Sequence, residues 1–591
     1  MEQDRKELAQ TFYKSANLLK DRGDWQAALA DYDRAIDAHP DYAHALCNRG
    51  VVLAALGRTD QALQSYDRAL ALDDKDAIAH FNRGVLLQQL QAWEGALASY
   101  DKAITQDAGF FHSHFNRANV LKELSRWDAA IESYGRAIAL SPGRAEPWFN
   151  LGVIQQQQGK TEAALESYDR ALAINPDLLQ ARFNRANVLK DLKRYRAAVH
   201  SYDLVIAARA DHAEAWSNRG TALQELGEWE AALGSYDQAI AIRADYAEAW
   251  SNRGMVLHEL RRLQEALSSY DRALQLRPGF ADAQYGKSIS LLLQGDYAAG
   301  WPLYEWRWPH AARLHGGAPR VFQTPLWLGQ EDLKGKRILI YWEQGLGDTL
   351  QYCRYIPLLA QKGAEVIFEV QAPLMNLLRS LPGVGRLIAA GSPLPKFDYH
   401  CPLLSLPLAF GTTLQSVPAR VPYLRAEPER AAHWRERLGE RRAARIGFVC
   451  SGAAIYANDT NRSIALADWI SRIPRDRQYV CLQKEYRDAD RATLAENSWI
   501  TDFAAEQRDF SDAAALVESM DLVISVDTSM THLAGALARP TWLLLSFNSD
   551  ARWMMDRDDS PWYPTLRIYR QQKPKDWADV LERVSADLRA R

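Results

Sequence analysis

The sequence predicts an α-solenoid over its first half and an α/β assembly built from two parallel-sheet units over its second. Three observations carry this. An internal period of 34 residues runs nine times from Thr11, it stops near Gly316, and short continuously apolar segments alternate with helical stretches beyond it. At 591 residues the chain has room for several folding units. Its net charge of −3 offers no positive field to hold a nucleic-acid backbone or an anionic membrane. The five cysteines, Cys47, Cys353, Cys401, Cys450 and Cys481, form no C-x-x-C pair, which argues against a disulfide framework or zinc ribbon and fits a reducing compartment. The first residues, MEQDRKELAQ, are polar, and no apolar run is long enough to span a bilayer, so the expected location is cytoplasmic.

Each 34-residue unit reads as two amphipathic helices joined by a turn such as Leu226-Gly227-Glu228. Position 22 is tyrosine in all nine units, from Tyr32 and Tyr66 to Tyr270 and Tyr304. Position 18 is alanine in eight and Gly300 in the last, and position 6 is small, as in Ala16, Gly50 and Gly254. Small residues at fixed register mean helices that approach closely. A helix pair cannot bury its apolar face alone, so the units must stack.

Position 4 is asparagine in seven successive units: Asn48, Asn82, Asn116, Asn150, Asn184, Asn218 and Asn252. An amide offers donors and an acceptor to an extended peptide backbone, and the same residues could instead bond to neighbouring helices. Arginine at position 5 (Arg49, Arg83, Arg117, Arg185, Arg219, Arg253) and aspartate at position 23 (Asp33, Asp67, Asp101, Asp169, Asp203, Asp237, Asp271) predict ion pairs between repeats. The period and its small and aromatic positions resemble the tetratricopeptide repeat, which implies a right-handed superhelix with the first helices lining its inner surface. The asparagine row resembles that of the O-linked N-acetylglucosamine transferases, which implies a groove that binds protein substrates. Solenoid faces also suit self-association.

After a linker bearing Pro319, Pro325 and Gly329, strands are predicted at 337–343, 365–370, 386–390 and 398–403, then at 445–451, 479–484, 499–504, 522–527, 541–546 and 566–570. The expected domains are a repeat array over 1–316, a linker over 317–334, a first α/β unit over 335–430 and a second over 431–591. Ligands bind such units at the carboxyl ends of their strands, and three motifs fall there. Gly345 and Gly347 in Gln344-Gly345-Leu346-Gly347-Asp348 allow a tight turn, and Asp348 reads either as a helix cap or as a residue facing the cleft. The polar stretch Asn458 to Ser463 offers Arg462, whose fork can grip a phosphate. Asp527-Thr528-Ser529 runs into a helix bearing His532, whose N-terminus could receive a diphosphate. Asp556, Asp558 and Asp559 read as a solvated acidic loop, and Trp553, Trp562 and Tyr563 as packing or a cleft wall.

Together the three motifs resemble the heptosyltransferase-type glycosyltransferases of the GT-B fold, over roughly 335–590. The resemblance implies two Rossmann-like domains, with the acceptor on the first and a nucleotide-sugar donor on the second. It implies Asp348 as general base, Arg462 neutralising the leaving phosphate, Glu485 meeting the donor's ribose, and Asp527, Thr528, Ser529 and His532 holding the diphosphate. It also implies transfer without a metal or other cofactor. The expected function is glycosyl transfer from a nucleotide-sugar to a protein held in the repeat groove. The alternative is a scaffold whose α/β half has kept its fold and lost catalysis.

Overall fold

The computed structural model describes residues 2–315, 320–452 and 459–591, and the described chain divides into two compact units, Met1–Ala244 and Asp245–Arg591. Asn458 lies outside the described residues.

The first unit is a stack of helix pairs, from Glu2–Asp21 with Trp25–Ala38 to Ala213–Glu225 with Trp229–Ile242. The turn inside a pair needs a left-handed residue. Gly57, Gly159 and Gly227 supply it at φ 75°, 71° and 74°, while Gln91, Ser125 and Lys193 adopt φ 57° to 58° at the same register. The position-22 tyrosines are buried, and the residue at position 6 sets how each ring sits. Where position 6 is glycine the ring fills the missing side chain's space: a Cβ on Gly84 would stand 2.7 Å from Tyr100, and one on Gly152 2.8 Å from Tyr168. These hydroxyls donate to Gln88 (2.7 Å) and Gln156 (2.9 Å). Where position 6 is Ala16, Ala118 or Ala186, the next residue is asparagine, and Tyr32, Tyr134 and Tyr202 donate to Asn17, Asn119 and Asn187 at 2.5, 2.5 and 2.6 Å.

The expected inter-repeat ion pairs are present. The Nε groups of Arg49, Arg83, Arg117, Arg185 and Arg219 lie 2.5 to 2.7 Å from Asp33, Asp67, Asp101, Asp169 and Asp203 of the preceding repeat. Each arginine also donates through Nη1 to a serine of its own repeat, as Arg49 does to Ser65 at 2.6 Å.

The second unit begins with helices Ala247–Glu259, Leu263–Leu276, Ala281–Gln294, Tyr297–Tyr304 and Arg307–His315. Two parallel sheets follow. The first comprises β1 (Arg337–Tyr341), β2 (Glu365–Val370), β3 (Val384–Ala389) and β4 (Tyr399–Pro402), in the order β3-β2-β1-β4. The second comprises β5 (Arg445–Val449), β6 (Gln478–Cys481), β7 (Ile500–Asp502), β8 (Leu522–Val526), β9 (Thr541–Leu545) and β10 (Leu566–Arg570), in the order β10-β9-β8-β5-β6-β7. β5, β8 and β9 are buried at every residue, as central strands covered on both faces must be. One apolar core joins Leu292, Tyr297, Trp301 and Tyr304 of the last repeats to Ile338 and Ile340 of β1 and to Trp553 and Trp562.

Candidate functional site

Gly345 caps the short helix Leu346–Tyr352, and its N–H donates to Asp348 Oδ2 at 2.9 Å. Asp348 therefore does bind its own helix end. Its other oxygen, Oδ1, accepts from Arg552 Nη2 at 2.6 Å. Gly347 is required by packing: a Cβ there would stand 2.8 Å from His532 Cδ2, so this helix lies against the helix Ser529–Ala536.

β8 delivers the third motif. Thr528 caps the helix Ser529–Ala536 in extended conformation, and its hydroxyl lies 3.2 Å from that of Ser525. Ser529 opens the helix, half-buried. Asp527 accepts from Trp553 Nε1 at 2.9 Å. Burial, outweighing the attraction of Arg552 and reinforced by Asp550, pushes its carboxyl up to about 6. His532 is buried, with Nδ1 3.0 Å from Tyr563 Oη and Nε2 3.3 Å from Arg552 Nη1. Burial and the guanidinium of Arg552 hold it well below the usual histidine range. Its Nε2 thus faces the guanidinium of Arg552.

The middle loop joins this segment. Arg462 donates through Nη1 to the carbonyl of Asp527 at 3.0 Å and lies beside the buried Asp459, which also pairs with Arg487. The side chain of Glu485 is exposed in the loop after β6. Its carbonyl accepts from the buried Gln483 at 3.3 Å, and Gln483 ties that loop to Cys450 and Ser451 after β5.

The centre of the arrangement is a residue the sequence reading passed over. Arg552 follows β9 on the short 3-10 turn Ala551–Trp553, capped by Asp550. Its guanidinium donates to Asp348 (2.6 Å), Gln351 Oε1 (2.8 Å) and Asp550 Oδ2 (3.0 Å), and it faces His532. It joins the strand-end loops of the two sheets. The available signal was positional, since every parallel strand's carboxyl end is a place for ligand chemistry and Arg552 is the cation that follows β9. Trp553, Trp562 and Tyr563 prove to be core residues, each nearly fully buried. Of the acidic loop, Asp559 pairs with Arg557 at 2.6 Å.

A separate opening of about 500 Å³ lies over the carboxyl ends of β1 to β3, lined by Trp308, Arg320, Tyr341, Trp342, Glu343 and Glu369. In the asparagine row, Asn48 donates to Asn17 (3.0 Å), Asn150 to Asn119 (3.1 Å), Asn218 to Asn187 (2.9 Å) and Asn184 to Tyr168 Oη (3.4 Å), while Asn82 lies 3.9 Å from Cys47 Sγ. Asn116 lies near the hydroxyl of Tyr100, and Asn252 is half-buried on Ala247–Glu259. Part of this row's amide capacity is thus spent within the stack. Among the described residues no group of three or more His, Cys, Asp or Glu is placed to hold a metal ion, and no helix is long and apolar enough to cross a membrane.

The fold is a repeat solenoid followed by an α/β part with two parallel sheets. The chain carries tetratricopeptide repeats, matched by that family's model in six segments between residues 13 and 305, and a glycosyltransferase family 9 (heptosyltransferase) domain matched over residues 476–575. The second match contains Glu485, Asp527 to His532 and Arg552, while Asp348 and Arg462 fall before it. A curated relative, Protein FlbA of Caulobacter vibrioides, is 27% identical over 335 residues, 52% of this chain. The aligned part spans about half, 54%, of that relative's length. Among solved structures, YrrB, described as a TPR protein with an unusual peptide-binding site, is 26% identical and covers 31% of this chain and 95% of its own, with a TM-score of 0.30. MamA is 20% identical over 29% of this chain and 93% of its own, with a TM-score of 0.28. The family 9 domain supports glycosyl transfer.

Proposed function

We propose that this chain transfers a sugar from a nucleotide-sugar donor to a hydroxyl of a protein held by the repeat array. The observation that carries the reading is the convergence of the strand-end motifs: Arg552 joins Asp348 to His532, and Arg462 reaches the carbonyl of Asp527. In this reading Asp348 takes the proton of the acceptor hydroxyl as its oxygen attacks the sugar's anomeric carbon. The bond to the diphosphate breaks, and its electron pair leaves on the phosphate oxygen. Arg462 and the first N–H groups of the helix Ser529–Ala536, with the hydroxyls of Thr528 and Ser529, stabilise that growing charge. Transfer proceeds without a metal ion, Glu485 offers a carboxylate to the ribose, and the repeats raise the acceptor's local concentration.

The test is a calorimetric titration with UDP, GDP, ADP and CMP, repeated on Asp527→Ala. Selective binding of one nucleotide that weakens in the variant supports a working donor site, and transfer that survives a chelator supports the metal-free mechanism. No binding by any nucleotide would leave the scaffold reading. Asn150→Ala with Asn218→Ala should raise the KM for a protein acceptor and leave donor hydrolysis unchanged.

A further inference from the structure

We infer that Arg552 receives the donor's diphosphate and releases Asp348 in exchange, so that the carboxylate becomes available to an acceptor only once the donor is seated. This rests on the donor-site reading above.

In the resting chain both oxygens of Asp348 are occupied, one by the N–H of Gly345 and the other by Arg552. An oxygen held by a guanidinium at 2.6 Å is not presented to an incoming hydroxyl. The same guanidinium has a second carboxylate, Asp550, on Nη2 and against Nε at 2.9 Å, so it stays charge-balanced when it leaves Asp348. Phosphate oxygens are strong acceptors for its planar fork and match it in a two-pronged bond.

The surroundings favour the exchange. Arg552 stands against His532, in the first turn of the helix Ser529–Ala536, with Nη1 3.3 Å from the imidazole Nε2, so the guanidinium lies beside a helix N-terminus suited to an anion. Gln351, fully buried, accepts from Arg552 through Oε1, while its Nε2 finds no partner among the described residues. An arriving phosphate oxygen would satisfy that amide donor, which otherwise stays desolvated without an acceptor. The backbone around Arg552 is anchored. The carbonyls of Trp553 and Met554 accept from Arg570 at 3.1 and 2.7 Å, and Asn548 donates to Glu259 at 2.6 Å. Arg261 stacks on Phe547, 3.6 Å from its ring centre. The exchange is therefore a side-chain movement, with the loop fixed by the last repeats.

The probe is inorganic pyrophosphate, titrated calorimetrically into the full chain and into Arg552→Gln, Arg552→Lys, Asp348→Asn and the double variant Asp348→Asn/Arg552→Gln. Arg552→Gln should weaken binding about tenfold or more, and Arg552→Lys less. Asp348→Asn keeps an oxygen for Gly345 but no longer holds Arg552 by charge, so it should tighten binding, and that gain should vanish in the double variant. A gain that persists in the double variant would mean simple removal of a negative charge and would overturn the exchange. Equal binding by Arg552→Gln and the parent, with loss in Arg462→Ala, would overturn it while leaving the donor site standing. A parent chain that binds no pyrophosphate would overturn both. Should Arg552→Gln fail to fold, Arg552→Lys and Asp348→Asn decide the matter, since an unchanged affinity in both rejects the exchange.

Discussion

Arg307, on the helix that closes the repeats, grips Glu343 at the end of β1 with two bonds, Nε to Oε2 at 2.9 Å and Nη2 to Oε1 at 3.0 Å. Both side chains are about 5% exposed or less. Glu343 also accepts from the N–H of Leu404, and Arg307 also pairs with Glu305. The last helix of the solenoid is thus fastened to the first strand of the α/β part by a desolvated ion pair.

Such a pair punishes the loss of one partner more than the loss of both. Arg307→Met should destabilise the unit by about 3–5 kcal/mol, because it leaves Glu343 buried without its counter-charge. Arg307→Met with Glu343→Leu should recover most of that loss. Denaturant unfolding followed by tryptophan fluorescence reads both, and equal losses in the single and double variants would show that packing matters and charge does not.

The same contacts bear on where the chain can be cut. Trp562 Nε1 donates to Tyr297 at 3.1 Å, and Leu292 and Trp301 share a core with β1. A fragment of residues 245–591 should therefore unfold cooperatively, whereas one of residues 317–591, cut where the 34-residue period ends, would expose that core and Glu343 and should aggregate or lack a cooperative transition. A cooperative 317–591 fragment of similar stability would contradict this account.

Which of these features the sequence announces depends on their range. The ten strands are legible because most are apolar runs, Leu522–Val526 and Thr541–Leu545 most plainly, and the reading overran several by one to three residues where a polar residue such as Asp527 or Ser546 already belongs to the loop. The repeats are legible because Tyr32 and its eight counterparts recur at one register. Asp348, Arg462 and His532 stood out beside glycines and hydroxyls. Arg552 did not, because Asp348 and His532, which it joins, lie 204 and 20 residues away, and a pairing made once leaves no periodic trace. The grip of Arg261 and Glu259 on Phe547 and Asn548 escaped for the same reason.

The two tyrosine arrangements in the solenoid give a sharp test of packing. A methyl on Gly84 would stand 2.7 Å from Tyr100, too close for carbon atoms, yet Ala118 coexists with Tyr134. The difference is the hydroxyl's partner, Gln88 in one case and Asn119 in the other. Gly84→Ala alone should cost about 1–3 kcal/mol, as overpacking does. Adding Val85→Asn supplies the alternative acceptor and should restore much of it. Thermal unfolding of the two variants decides, and no recovery would mean that the ring cannot take the second position in this repeat.

Asp527 makes the last prediction, on pH. Its carboxyl rises from the ordinary 3.8 to about 6 because it is buried, with Asp550 near and Arg552, Trp553 and Arg462 only partly compensating. Between those two values the folded chain keeps a proton that the unfolded chain has released, so this residue's contribution to stability falls as pH rises through the window. His532 acts in the opposite sense, since the unfolded chain protonates it near 6.5 while the folded chain resists, and stability falls as pH drops. The two slopes oppose each other in the parent protein, and Asp527→Asn removes one of them. The variant keeps an oxygen for Trp553 and should gain about 1–2 kcal/mol relative to the parent between pH 4 and pH 7. Melting temperatures of both proteins across that range measure it directly, and parallel curves would show that Asp527 ionises as it does in water.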